Sequence, residues 1–342
     1  MILPKIIIKL GDFSQEEKFQ KRQALIETFQ LTQVTIYCKI FIVLLMSFYL
    51  ARYRWLSELF VQRESCDLMN NTSYDSWYAL DTARFRSAVL AESFVKMNID
   101  SETVEFIKQS ERKSDSTILQ LFHGFAISLL RLFFEKTCIN GLLRRGSMFL
   151  FSAEQLYSFL DIMPKNGSGC LDLGAGDGQI TLKLKKFFPN VAATEASPIM
   201  RLRLRQHGIK VVGIDEWRDE RFCFEIISCL NLLDRHAEPL TLLRHIHTKA
   251  VACNAYVLIA VVFPWYQFVE YTDQGKSNAP KEWIDLNGNT FEEQLECFVK
   301  KVLQPSGFNV VRFTRLPYLS EGDMMKSFYV LDCALLLLTA DK

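Results

Sequence analysis

Hydrophobic and polar positions change their rhythm twice along the chain. Residues 1–33 are polar and show no period. Ile40 to Ala51, IFIVLLMSFYLA, then carry no charge, with Lys39 before the run and Arg52 and Arg54 after it. A run this short falls below the ~20 residues a helix needs to cross a bilayer. Extended back across Lys39 to Val34 it becomes long enough, provided the lysine snorkels to the interface. The length also suits the core of a signal sequence or signal anchor, although no clear small-x-small cleavage site follows. We therefore read 34–55 as a signal or anchor segment that associates the chain with a membrane, with a buried helix as the bland alternative. Residues 56–75 read as a linker. From Ser76 to about Phe149 the spacing becomes helical, and 76–150 reads as a helical cap. Within it TILQLFHGFAISLLRLFF (Thr117 to Phe134) is apolar almost all round, which predicts a buried helix packed on both sides. Charges bracket that helix, SERKSDS before it and Glu135-Lys136 after, and argue against a membrane span.

From Phe151 onward short apolar runs alternate with helical ones, the arrangement of a parallel sheet with helices on both faces. GCLDLG (169–174) predicts a buried strand running into glycines. ITLKLKKFF (180–188) offers Ile180, Leu182, Leu184 and Phe187, a poor but workable helical face. VAATEAS (191–197) predicts the second strand. SPIMRLRLRQHG (197–208) has serine to cap it, proline in its first turn and glycine to end it. IKVVGIDEW (209–217) and FEIISCLNLLD (224–234) predict the third and fourth strands. AEPLTLLRHIHTKA (237–250) reads as a helix and AYVLIAVVF (255–263) as the fifth strand. NTFEEQLECFVKKVL (289–303) opens with a capping box, Thr290 to Glu293, and stops at Pro305-Ser306-Gly307. NVVRFTRL and SFYVLDCALLLL predict a closing pair of strands. The expected fold over 151–342 is α/β: a Rossmann-like seven-stranded sheet with its last strand inserted antiparallel. That is the layout of a class I SAM-dependent methyltransferase, preceded here by a helical region.

A chain of 342 residues, 49 % hydrophobic, can bury a full α/β core with material left over. Its net charge of +1 provides no general field for holding nucleic acid, so no such partner is expected. The nine cysteines include no C-x-x-C pair and no Cys/His cluster. They predict no metal site and no disulfide scaffold, only buried reduced thiols. Two overlapping sequons, at Asn70 and Asn71, follow the apolar segment, where a lumenal chain could be glycosylated. Basic residues flank both ends of that segment, so its orientation stays open.

The chemistry is concentrated in LDLGAGDGQ (171–179). Its glycines, Gly174, Gly176 and Gly178, are spaced G-x-G-x-G. A dinucleotide site wants G-x-G-x-x-G, whose third glycine would fall on Gln179, and no Gly-Lys-Ser/Thr follows to make a P-loop. Asp177 in the loop is a poor neighbour for pyrophosphate. S-adenosylmethionine suits the loop better, being cationic at its sulfonium and ammonium and free of phosphate. Its methionine portion needs the close backbone approach that glycine permits. Asp172, Gly174, Gly176 and Asp177 are therefore candidate cofactor residues. Glu195 ends the second strand nineteen residues after Gly176, where an acid can accept both ribose hydroxyls. Asp215 and Trp217 end the third, where adenine would lie, with Trp217 able to stack on it or simply to pack.

The fourth strand exits as SCLNLLDRH (228–236), and ligands bind beyond the carboxyl ends of strands in such sheets. Asn231 and Asp234 would then face the reactive end of the cofactor. The [DNS]-P-P-[YFW] motif of nucleic-acid amino methylation is absent there. LDLGAGDG, ATE, SCLNLLDR, PLTLLR, FTRLPYLSEGDM and, upstream, INGLLRRGSMFLFS together resemble the DREV (methyltransferase-like protein 9) family from about Trp77 to the C-terminus. The resemblance implies a protein-histidine N-pros-methyltransferase with S-adenosylmethionine as donor. It implies acceptor proteins carrying His-x-His with a small middle residue, often metal-binding, and an endoplasmic reticulum or mitochondrial setting. Carried over by position, Glu195 matches the ribose-binding acid, Asn231 an asparagine that holds the cofactor, and Tyr318 a late tyrosine that closes over it. Asp234 matches the aspartate that faces the acceptor imidazole. One departure is FPWYQFVEY (263–271), where family members tend to carry Pro-Phe-His-Pro.

Imidazole chemistry then gives a mechanism. Neutral histidine has one N–H and one lone pair. If Asp234 accepts from Nε2–H, the lone pair is fixed on Nδ1 and aimed at the methyl. The bland alternative is that Asp234 caps the following turn or pairs with Arg235. Glu321 and Asp323, in YLSEGDMM (318–325), are candidates to meet the substrate imidazoles, against the alternative of a polar loop. His245-Ile-His247 is itself His-x-His, but the bulky isoleucine and helical context favour a chance pair. A small-molecule methyltransferase and a non-catalytic scaffold on the same fold remain the competing functions.

Overall fold

The computed structural model describes residues 74–342 except 135, 164–168, 270–278 and 324–325. The apolar segment 34–55 and the sequons at Asn70 and Asn71 lie outside the described residues. Among the described residues no helix is long and apolar enough to cross a membrane.

Among the described residues four α-helices precede the sheet: α1 (Ala88–Glu92), α2 (Ser101–Asp115), α3 (Thr117–Leu130) and α4 (Lys136–Leu143). Their starts follow local chemistry. Asp100 caps α2, its Oδ1 accepting from the Thr103 amide at 2.9 Å, so one otherwise orphaned N–H is satisfied. Helix α3 departs from the expectation of burial on both sides. Gln120, His123, Ala126 and Leu130 form its covered stripe, while Ile118 is 69 % and Leu121 44 % exposed. The helix ends at Leu130, and Leu132 and Phe133 project from the turn beyond it. An all-round apolar sequence reports what could be buried, not how many neighbours the fold supplies.

Eight strands form one sheet: β1 (Met148–Phe149), β2 (Cys170–Leu173), β3 (Val191–Thr194), β4 (Lys210–Val211), β5 (Ile226–Leu230), β6 (Tyr256–Phe263), β7 (Phe308–Glu321) and β8 (Phe328–Ala340). Their order is β1-β7-β8-β6-β5-β2-β3-β4. The central β6-β5-β2-β3-β4 block is parallel, and β8 enters antiparallel between β6 and β7. This is the expected class I methyltransferase sheet with one addition. Met148 and Phe149, read from sequence as part of the helical cap, pair antiparallel with Ser320 and Leu319. Two residues are too few to show a period; the long strand β7 supplies their pairing.

Five further helices cover the faces: α5 (Ala153–Phe159), α6 (Gln179–Phe187), α7 (Pro198–Gln206), α8 (Pro239–Cys253) and α9 (Phe291–Phe298). Helix α7 starts as its sequence predicts, Ser197 accepting from the Met200 amide with Pro198 in the first turn. At α9 the box is half-formed. Thr290 accepts from Glu293, but Glu293 reaches the Asn289 amide rather than that of Thr290. Beyond Phe298 the helix widens into a π turn over Val299–Leu303.

Two apolar layers sandwich the sheet, one built around Leu243, Ile259, Phe298 and Leu336, the other around Leu156, Leu184, Leu258 and Leu335. Adjacent residues of β6 and β8 point into opposite layers, as pleating requires. Cysteine usage also departs from expectation: Cys223 and Cys253 form a disulfide with Cα atoms 5.4 Å apart. Thirty residues separate them in sequence, so no spacing motif announces the pair. It ties the loop before β5 to the end of α8.

Candidate active site

Strand β2 delivers the glycine loop at the switch point of the sheet, between β3 and β5, where open α/β sheets place their ligands. Gly174, Gly176 and Gly178 all have positive φ, at 68°, 56° and 84°. A Cβ on Gly174 would meet the Leu232 side chain at 2.8 Å, whereas one on Gly176 would point into open space. The backbone at Gly176 thus faces a volume the chain leaves unfilled.

Glu195 is locked to this loop. It is 9 % exposed, with Oε2 accepting from the Gly176 amide at 2.9 Å and Oε1 from the Ser197 amide at 2.8 Å. Burial raises its pKa and the amides oppose that shift by favouring the carboxylate. The Ala196 amide favours the carboxylate as well, so the acid is fixed beside the loop. Asp177 folds back on its own turn, Oδ1 accepting from the Gln179 amide at 3.1 Å, and lies 3.9 Å from Arg203. It faces a cavity that Arg144, Arg145, Lys183 and Glu321 also line. The two arginines precede β1 and were not singled out from sequence, although they fall inside the INGLLRRGSMFLFS motif.

Three sequence candidates are placed differently. Asp172 is 2 % exposed, and its oxygens accept from Thr181 at 2.6 Å and Ser228 at 2.7 Å. Burial pushes it up to about 6. It binds β2 to α6 and β5 beneath the loop rather than standing open to a ligand. Trp217 is 3 % exposed within the core, so it has no free face on which adenine could stack. The third strand ends at Val211, and Asp215 lies out on the surface, paired with Arg218. Two residues of strand were enough to pair with β3, so the acid and the tryptophan fall in the following turn instead of at a strand end.

A second group of candidate residues, at the carboxyl end of β5, is built by β5, β7 and β8. Beyond Leu230, Asn231 takes a left-handed conformation, φ 52°, and its amide bonds to Ala260 O at 2.9 Å. Its Oδ1 accepts from Cys333 Sγ at 3.5 Å. Its Nδ2 is buried and has no partner at good hydrogen-bond geometry among the described residues, although it lies close enough to the Tyr318 hydroxyl to favour the ionised phenol, so a ligand acceptor would satisfy it. Tyr318 lies alongside; burial, then the nearby Cys333 and Asp234, hold its phenol well above the usual range. Asp234, 7 % exposed, stands in the 3₁₀ turn Leu233–Arg235 with Oδ2 3.1 Å from Arg235 Nε. The Arg235 pairing expected as the bland alternative is therefore present, alongside Tyr318 and Asn231. The Phe268 amide donates to Asp234 O at 2.8 Å, and Arg235 lies over the Phe268 ring. The departing segment 263–271 thus touches the turn that carries Asp234.

Glu321 and Asp323 mark the far end of the hairpin formed by β7 and β8. Glu321 pairs with Lys113, and its Oε2 accepts from the Ser147 amide at 3.2 Å. Asp323 accepts from the Tyr329 hydroxyl at 3.0 Å. Glu321 therefore helps hold the hairpin against the helical region, whereas the Asp323 side chain bonds within the hairpin and only its backbone carbonyl accepts from Ser114 of α2, at 2.6 Å.

Residues 77–340 match the model of the DREV methyltransferase family. The chain belongs to that family. It is a SAM-dependent methyltransferase, and the residues just described fit the cofactor: an acid bound to the glycine loop, an open approach at Gly176 and an orphaned buried donor at Asn231. Among solved structures, the chain is similar to a TehB-like SAM-dependent methyltransferase from Corynebacterium glutamicum. The identity is 20 %, covering 56 % of this chain and 89 % of that one, with a TM-score of 0.35. It is also similar to magnesium protoporphyrin IX methyltransferase from Synechocystis with bound SAM. There the identity is 12 %, covering 72 % of this chain and all of that one, with a TM-score of 0.35.

Proposed function

We propose that this member of the family methylates the Nδ1 atom of histidine in His-x-His sequences of target proteins. The observation that carries the reading is Asp234, a buried carboxylate beside Asn231 and Tyr318 at the carboxyl end of β5. An acceptor imidazole that donates Nε2–H to Asp234 has its tautomer fixed, leaving the Nδ1 lone pair free. S-adenosylmethionine, when bound, supplies an electrophilic methyl on sulfur and retains the S–C electron pair when the new N–C bond forms. Asn231 Nδ2 and Glu195 hold the cofactor on either side of the glycine loop. Holding both reactants in line is the larger part of such catalysis. As the ring becomes cationic, Asp234 stabilises it and receives the Nε2 proton on its way to solvent. Arg235 keeps the carboxylate turned into the site.

The targets proposed are proteins with His-x-His sequences, metal-binding ones among them, and the setting proposed is the secretory pathway, endoplasmic reticulum first, with a mitochondrial pool as the resemblance implies. The Cys223–Cys253 disulfide supports an oxidising compartment, in keeping with membrane association through 34–55 and glycosylation at Asn70 or Asn71. The test is methyl transfer from labelled S-adenosylmethionine to a His-Ala-His peptide, with the methyl position assigned by mass spectrometry and NMR. Label at Nδ1, absent from an Ala-Ala-Ala control, is expected. Cofactor binding without label on histidine overturns the reading and returns the small-molecule substrate or the scaffold.

A further inference from the structure

Strand β8 is paired on both sides for only part of its length. Its partner β7 runs beside it from Phe328 to Ala340, but β6 stops at Phe263, opposite Asp332. Among the described residues Phe328 to Leu331 therefore pair with β7 alone, and no other described strand lies along their other edge. Over its described residues 264–269, the chain that leaves β6 does not pair with that edge. After Pro264 it turns towards α9, with the Trp265 amide donating to Gln294 at 2.8 Å and its indole to Ile284 O at 3.1 Å. Tyr329, Val330 and Leu331 are 38 %, 40 % and 46 % exposed. Consecutive strand residues point to opposite faces, so exposure at all three means that each face of the strand is partly open here, although Phe328 beside Val330 packs against Trp77.

Open edges with apolar side chains are sticky, and proteins usually blunt them. No described segment pairs with this one, which lies beyond the carboxyl end of β6, next to the proposed reacting end. Leu331 shares its face with Cys333, whose Sγ reaches Asn231, and Cys333 in turn neighbours Asp234. Towards the hairpin tip the same face carries Tyr329, bonded to Asp323.

We propose that the acceptor segment binds as an added β-strand along the open edge of β8 at Phe328 to Leu331. The inference rests on the histidine-peptide reading above and names how that peptide is held. Alternate residues of the edge direct both N–H and C=O outward, so main-chain bonds hold any extended sequence while side chains select. A strand explains why the motif is His-x-His. With a period of two, both imidazoles fall on one face, about 7 Å apart, and the middle residue falls on the other. One imidazole is directed towards Asp234 and the second along the Leu331–Tyr329 face towards Asp323.

A scan of backbone N-methylation through a His-Ala-His peptide tests this on the unaltered full chain. Removing an amide proton that bonds to the edge should lower kcat/KM by about tenfold or more, at every second position and not between. Hydrogen exchange at amides 328–331 should slow when the unmodified peptide is added with S-adenosylhomocysteine. An even response across the scan, whether tolerance or loss, overturns strand addition even though the unmodified peptide is methylated. So does peptide turnover with no protection at 328–331. Absence of label on the unmodified peptide instead removes the histidine reading, and the inference with it.

Discussion

Asp172, Gly174, Gly176, Asp177 and Glu195 lie in one short stretch of chain, and a strand, a turn, a helix and a strand suffice to bring them together. Asn231 and Cys333 are 102 residues apart and meet only because β8 enters the sheet beside β6. The hairpin beyond them is anchored from further still, Glu321 pairing with Lys113 across 208 residues. The cofactor half is thus a local construction, rigid because its parts share a motif. The acceptor half is a product of register. A substitution in the first should act through cofactor affinity or loop stability, and one in the second through transfer to the proposed acceptor, except at Asn231, which reaches the cofactor from that side.

The sharpest separation of the two halves comes from exchanging one acid in each. Asp234→Asn is expected to lower peptide methylation by about 10²–10³-fold, the range for a positioned proton acceptor. S-adenosylhomocysteine affinity, measured by calorimetry, should stay unchanged. Glu195→Gln should reverse the pattern, weakening the cofactor first. If Asp234→Asn weakens the cofactor as much as Glu195→Gln does, the division fails.

Next in size is the pH dependence of the loop's foundation. Asp172 holds its proton up to about 6 when folded, against 3.8 as its ordinary value. The folded state therefore binds protons more tightly than the unfolded chain. Stability is highest below the ordinary value and falls as pH rises through the window to about 6. The loss is about 3 kcal/mol. Asp177 and Glu195, also raised by burial, contribute slopes of the same sign. Asp172→Asn should remove the larger part of the slope in urea denaturation between pH 4 and 7. An undiminished slope would place the proton elsewhere.

Gly174→Ala comes third. Both the positive φ and the 2.8 Å approach to Leu232 oppose a Cβ, and a loss of about 2 kcal/mol of stability is expected. Gly176→Ala carries the backbone strain alone, about 1 kcal/mol, but fills the space the cofactor approaches. Thermal melts with and without S-adenosylhomocysteine should show the first variant as the less stable and the second as the less responsive to ligand. The smallest effect expected is that of Tyr318→Phe, a several-fold fall in turnover if its hydroxyl makes one hydrogen bond, worth about 1 kcal/mol, to the bound cofactor or acceptor.

Much of the cofactor half was legible because its signals are local. The glycine spacing, the acid nineteen residues on and the Ser197 cap each depend on a few neighbouring residues, and each is found where the pattern puts it. Trp217 and Asp215 were misplaced for a related reason. The run IKVVGIDEW has strand composition throughout, but only Lys210–Val211 find a partner in β3, and strand ends are set by partners. Asp172 was read as a ligand contact because it adjoins the glycines, while its actual use is set by Thr181 and Ser228 from two other elements.

By itself the sequence determined the order of most strands and helices and the glycine loop that suits the cofactor. These follow from periodicity, caps and the backbone freedom of glycine, which act over a few residues. Tertiary structure alone decided that Met148 and Phe149 form an eighth strand, that Cys223 meets Cys253, that one side of α3 stays uncovered and that β8 outruns β6 to leave an open edge. Each of these depends on which distant segment happens to lie alongside, and pairing between distant segments leaves no periodic trace in either one.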